Sequence, residues 1–100
     1  MTREFRTDPY LTDVLMRDLV GHDRAPSAFL VYLWLWRMSR GEGRERIGAS
    51  LQTIATETGL SKSAVQAAVR HLTRRRLLSA SRASATAAPV YAVHEPWRRR

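Results

Sequence analysis

The segment from Leu51 to Leu78, LQTIATETGLSKSAVQAAVRHLTRRRLL, constrains the fold of this chain more than any other. Ser50 precedes a short run in which Leu51, Ile54 and Ala55 recur at helical spacing. Gly59 follows, and glycine enters the left-handed backbone region without steric cost, so the chain can reverse sharply there. Leu60 plugs the turn. Ser61 then stands as a helix N-cap, and Val65, Ala68, Val69 and Leu72 repeat at intervals of three and four. The pattern predicts two helices, over residues 51–58 and 62 to about 75, crossing over a tight turn. Ala55 is small, as a close approach of two helices requires.

The charge is concentrated in the same half. Residues 61–100 hold nine Lys and Arg against one acid, Glu95, whereas residues 1–60 hold eight Arg against eight acids. The whole net charge of +8 therefore lies in the half that carries the two helices, which points to a polyanionic partner. The chain has 100 residues, enough for one modest core and little else, and it has no cysteine, hence no disulfide framework and no thiolate metal site. The longest apolar run, residues 28–36, is about half of what a membrane span needs. The first ten residues mix two Arg with two acids and lack an apolar stretch, so they do not read as a signal peptide, and a cytoplasmic location is expected.

The remaining segments predict a mainly α chain with a small β hairpin. Residues 1–7 form a short flexible arm. Asp8-Pro9 is a helix start, with Asp as cap and Pro at the first position. Leu11, Val14, Leu15 and Leu19 then make an apolar stripe, Asp13 stands four residues before Arg17, and Gly21 is expected to end the helix near Val20. A connector over residues 22–26 leads to a second helix, residues 27–39, SAFLVYLWLWRMS, apolar nearly all round. Such a helix must be buried on most sides. It is either simply the central core helix, or it shares a dimer interface with the first helix through Leu15, Leu19, Trp34 and Trp36. RGEGRER is a solvated turn, since it lacks the context of a phosphate-binding loop. Near Ile47 there is room only for a very short strand. Residues 77–83 and 89–94 read as two strands joined by a flexible tip, and residues 96–100 are a basic tail whose Trp97 and arginines suit a phosphate clamp or plain disorder.

The outward face of the last helix carries the chemistry. Ser63, Gln66, Ala67, Arg70 and Arg74 lie opposite the apolar set, short or hydrogen-bonding near the N-terminus and cationic toward the C-terminus. A DNA major groove admits one helix, Gln suits bidentate pairing with adenine, and Arg suits guanine. Ser61, Lys62 and Ser63 sit at a helix N-terminus, where backbone N–H groups attract phosphate. Arg74, Arg75 and Arg76 are placed to hold the DNA backbone rather than to read bases.

The residues TIATETGLSKSAVQAAVRHLTRRRLL and the later PVYAV resemble the winged helix-turn-helix superfamily, especially small bacterial and phage domains such as those of replication initiators and of GntR- and MarR-like regulators. The resemblance implies a helix-turn-helix over residues 50–76 and a wing over residues 77–94, within one domain of residues 8–95. It also implies that the second motif helix enters the major groove while the wing touches backbone or minor groove. Carried onto this chain, the DNA-binding residues are Ser61, Lys62, Ser63, Gln66, Arg70, Arg74 and Arg75, with Arg82 as the wing cation. One departure stands out: Arg76 occupies the place where such domains usually have glycine before the first wing strand. Either Arg76 adopts a left-handed conformation at a cost of about 1 kcal/mol, or the helix ends differently.

Other chemistry finds little support. His22, His71 and His94 have no metal-ligand spacing, the acids are scattered among arginines, and no nucleophile–base grouping can be drawn. No metal, cofactor or small-molecule ligand is expected, and no enzyme. The expected function is sequence-specific binding of double-stranded DNA in transcription regulation, by a protein that is a candidate homodimer. Its nearest variants are plasmid or phage replication and partition. The rival is a protein-interaction module that uses the Trp-rich helix.

Overall fold

The computed structural model describes residue 4 and residues 6–98. Most of the expected arm and the last two arginines of the tail lie outside the described residues. An N-terminal helix over residues 9–22 is followed by α1 (Pro26–Met38), a single 3-10 turn (Arg40–Glu42), β1 (Arg46–Gly48), α2 (Leu51–Thr58), α3 (Lys62–Arg74), β2 (Leu78–Ser81) and β3 (Val90–Val93).

Asp8 begins the N-terminal helix as its residue type predicts, its carboxylate accepting the Tyr10 N–H at 2.9 Å. The helix is then wound more widely than an α-helix. Over Leu11–Leu15 and Arg17–His22 the bonds span five residues, as from the Met16 N–H to the Leu11 carbonyl and from the Asp23 N–H to the Asp18 carbonyl. The wider turn brings residues four apart close to one line, so Leu11, Leu15 and Leu19 are all buried. Val14, which α-helical spacing assigns to the same stripe, is 37% exposed. The helix also runs through Gly21 rather than ending before it. The left-handed residue that terminates it is Arg24, at φ 54°, and the Ala25 N–H then closes onto the Leu19 carbonyl at 2.8 Å.

Helix α1 is the centre of the molecule. Ala28, Phe29, Val31, Tyr32, Leu35 and Trp36 are buried among the N-terminal helix, α2, α3 and β3, while Leu30 is 44% exposed. Its polar atoms are satisfied at long range. The Tyr32 hydroxyl donates to the His94 carbonyl at 2.6 Å, and the Trp36 indole N–H donates to Glu95 at 2.8 Å. Burial pushes the Tyr32 phenol far above its ordinary value.

The short strand at Ile47 joins the hairpin rather than standing apart from it. The sheet order is β1-β3-β2, antiparallel throughout, with Ile47 and Ala80 both opposite Tyr91. The hairpin strands are shorter than their sequence suggests. Pro89 has no N–H to donate to a ladder, and its carbonyl instead accepts the Ala49 N–H at 3.1 Å. Leu77 lies in the turn that closes α3, before β2 begins. Past β3, Trp97 stacks on Tyr10 with ring centroids 4.4 Å apart, and its indole N–H and the Arg98 guanidinium both donate to Asp8. The described part of the basic tail is thus fastened to the start of the chain.

Of the two ways α3 could end at Arg76, the left-handed one holds, with φ 60°. The Leu77 N–H reaches the Leu72 carbonyl at 2.9 Å and the Arg76 N–H reaches Thr73 at 3.0 Å, a Schellman closure whose apolar contact is supplied by buried Leu72 and Leu77. Arg76→Gly relieves the left-handed strain but adds freedom to the unfolded chain. The expected net gain is about 0.5–1 kcal/mol, read as a higher melting temperature.

Among the described residues no helix is long and apolar enough to cross a membrane. Four helices with a small three-stranded antiparallel sheet, the last two strands forming a wing behind two crossed helices, make a winged helix-turn-helix.

Candidate nucleic-acid interface

Helices α2 and α3 are set by local chemistry at each of their ends. Ser50 Oγ accepts the Thr53 N–H at 3.0 Å, and Ser61 Oγ accepts the Ala64 N–H at 3.1 Å, so each helix begins on a serine cap. Between them Gly59 has φ 78°, which closes α2 and turns the chain. Along α3, Val65, Ala68 and Leu72 are buried, and Val69 is partly so. Ser63, Gln66, Ala67, Arg70 and Arg74 are exposed on the opposite side, with Ser61 and Lys62 exposed at its N-terminus. Lys62, Gln66 and Arg70 make no side-chain hydrogen bond or ion pair among the described residues. Their hydrogen-bonding groups are therefore open to an external partner.

The arginines that follow are not equivalent. Arg74 stays on the outer face, its guanidinium 3.4 Å from His71 Nδ1. Arg75 turns inward, hydrogen-bonded to Asp18 and 3.4 Å from Asp23. Its charge is engaged by the N-terminal helix, whereas that of Arg74 faces outward. Arg82 folds over the wing tip toward the carbonyls of Ala85, at 3.5 Å, and Ala87, at 3.3 Å. It lines a cleft with Ser50, Gln52, Lys62 and Thr86, between the wing and the start of α3.

Asp23 is the hub of an ion-pair network that sequence reading missed. Its side chain is 6% exposed and lies 2.7 Å from His71 Nε2 and 2.8 Å from His22 Nδ1. Burial works to raise its pKa, but hydrogen bonds from His22 and His71 and the charges of Arg75 and His71 outweigh it and hold the carboxyl below its ordinary value. Asp8, desolvated but hydrogen-bonded by Tyr10, Trp97 and Arg98, is lowered in the same way. A lowered folded-state pKa means that this stabilisation is complete above the unfolded value of about 3.9 and is lost as pH falls through the folded values. Denaturation midpoints should hold level from neutral pH to roughly pH 5 and then decline in acid. Asp23→Asn should flatten that decline while lowering stability at neutral pH. Asp18, His22 and Asp23 also bring ligand atoms within 4.8 Å of one another. Arg75 lies on both carboxylates of that trio and supplies the positive charge it calls for.

The residues expected at a dimer interface separate. Leu15, Leu19 and Trp36 are buried within the chain itself and offer no surface to a second copy. Trp34 is partly exposed and borders a shallow groove with Leu30, Leu33, Arg37, Glu57 and Thr58.

Two crossed helices on serine caps, a wing, and an exposed polar and basic face on the second helix together define a helix-turn-helix DNA-binding domain. The chain belongs to the helix-turn-helix domain family, which it matches over residues 25–78. No curated protein and no solved structure matches the chain. The matched span begins as α1 begins and ends as β2 begins. The N-terminal helix, with Asp18 and Asp23, and the Asp8–Trp97 clasp lie outside the matched span.

Proposed function

We propose that this protein binds double-stranded DNA sequence-specifically, with α3 in the major groove, and acts as a bacterial, cytoplasmic regulator of transcription rather than as an enzyme. The observation that carries the reading is the outer face of α3, where Gln66 and Arg70 stand exposed and uncommitted one helical turn apart. Ser61, Lys62 and Ser63 lie toward the helix end that usually reaches base edges. Lys62 and Arg74 supply phosphate contacts, and Arg82 adds one where the wing meets the backbone.

The test is binding of a labelled duplex across a salt series. With about five to seven phosphates neutralised, log affinity should fall against log salt with a slope of roughly −5 to −6. A folded protein that binds no duplex at low salt would end this reading.

A second copy suits the groove at Leu30, Leu33 and Trp34. Its apolar lining includes Leu30, which is 44% exposed, and a two-fold contact there would cover the same patch on both copies. A dimer built there would place two recognition helices on an inverted repeat. Leu30→Glu should convert the dimer to a folded monomer in sedimentation, its circular dichroism spectrum unchanged and its melting temperature independent of protein concentration. A wild-type chain that sediments as a monomer at tens of micromolar would refute the dimer.

A further inference from the structure

Two clefts flank α3. One lies toward the wing and contains Lys62 and Arg82. The other runs along the opposite flank, between α3 and the loop that enters α1, and none of the expected DNA contacts except Arg74 lies in it. Its α3 wall is made by Ala64, Ala67, His71 and Arg74, and its other wall by Arg24 and Ser27. We propose that this second cleft seats the sugar–phosphate backbone of the DNA strand on the far side of the major groove from the wing, with Arg24 as its principal contact. The proposal rests on the DNA-binding reading above and adds to it a second grip and a residue that sequence reading did not single out.

Four observations carry it. First, a helix lying in a major groove has one phosphate backbone on each side of it, the groove being about 12 Å wide. The wing-side cleft offers Lys62 and Arg82 to one strand, and the opposite cleft offers Arg24 and Arg74 to the other. Second, Arg24 is exposed and makes no side-chain hydrogen bond or ion pair among the described residues. Most basic groups nearby are engaged: Arg75 by Asp18 and Asp23, and His71 by Asp23. Third, the single carboxylate lining the cleft, Asp23, is 6% exposed and already partnered by those groups, so it offers little repulsion to a phosphate. Fourth, the α3 wall is built of alanines at residues 64 and 67, which leave room for a backbone to approach the helix closely.

The loop geometry makes a clean test available. Arg24 sits at φ 54°, a conformation that glycine adopts without strain. Arg24→Gly therefore removes the cation while keeping the turn, and a melting temperature no lower than that of the wild type checks that it has. Wild type, Arg24→Gly and Arg24→Lys are to be compared on the same selected duplex across a salt series, with ethylation interference to map phosphates on each strand. Arg24→Gly should weaken binding equally on cognate and unrelated duplexes and reduce the salt slope by about 1. It should also erase interference at one or two phosphates on one strand only, and Arg24→Lys should restore both. Wild-type binding that Arg24→Gly leaves unaltered in slope and interference would overturn this inference and leave the DNA-binding reading standing. Failure of the wild type to bind duplex would overturn both.

Discussion

Replacing Gln66 and Arg70 together by alanine is expected to abolish preference for the cognate site while leaving the fold intact. Each bidentate contact to a base edge contributes about 1–3 kcal/mol of discrimination, so losing both amounts to roughly 2–6 kcal/mol. That corresponds to an affinity loss of about thirtyfold to twenty-thousandfold on a selected duplex. On unrelated duplexes the effect should be smaller, because non-specific affinity comes from phosphate contacts that Lys62, Arg74 and Arg82 retain in this reading. Both side chains are exposed, and neither makes a side-chain hydrogen bond or ion pair among the described residues. The melting temperature should therefore move little, since surface changes of this kind stay within about 0.5 kcal/mol. Competition titration of cognate against random duplex is the measurement. A double mutant that keeps its site preference would mean that α3 does not read the bases.

The opposite result is expected two residues further along the same helix. Leu72 is fully buried, packs into the common core and closes the Schellman turn with Leu77. Truncating a leucine at such a site removes its transfer energy and leaves a cavity, costing about 3–5 kcal/mol. For a domain of this length that lowers the melting temperature by roughly 12 °C or more. At a temperature where Leu72→Ala is still folded, its cognate site preference should be that of the wild type. Thermal unfolding followed by circular dichroism, set beside the competition titration, separates the core side of α3 from its groove side. Near-wild-type melting of Leu72→Ala would mean that the helix is not packed as described.

The helix-turn-helix is legible in the sequence because everything that specifies it is local. Ser50 and Ser61 cap the helices that follow them, Gly59 turns between them at φ 78°, and the apolar intervals of α3 choose its buried side. Even the anomaly at Arg76 is visible, since the position before the first wing strand calls for a left-handed residue whatever side chain occupies it. The outer face of α3 follows from the same periodicity: once Val65, Ala68 and Leu72 face inward, Gln66 and Arg70 must face out.

Other features depend on partners far away in the chain. Arg75 resembles Arg74 in every local respect, yet it is bound to Asp18, 57 residues away, while Arg74 remains outside. Asp23 becomes a buried hub only because α3 brings His71 to it across 48 residues. Trp36 and Leu15 looked free for a partner because an apolar helix does not announce which of its sides the rest of the chain will cover; packing of the N-terminal helix and β3 against α1 covered both. The strand at Ile47 exists only because β3 arrives beside it, and the width of the N-terminal helix is set by burying Leu11, Leu15 and Leu19 in one line. Caps, turns and amphipathic periods are decided within one or two helical turns, by sterics and hydrogen bonds between near neighbours, and so the sequence alone determined the motif and the face it presents. Which charges are neutralised, which apolar sides are covered and where Arg24 stands relative to α3 depend on contacts between distant segments, and only the tertiary structure decided them.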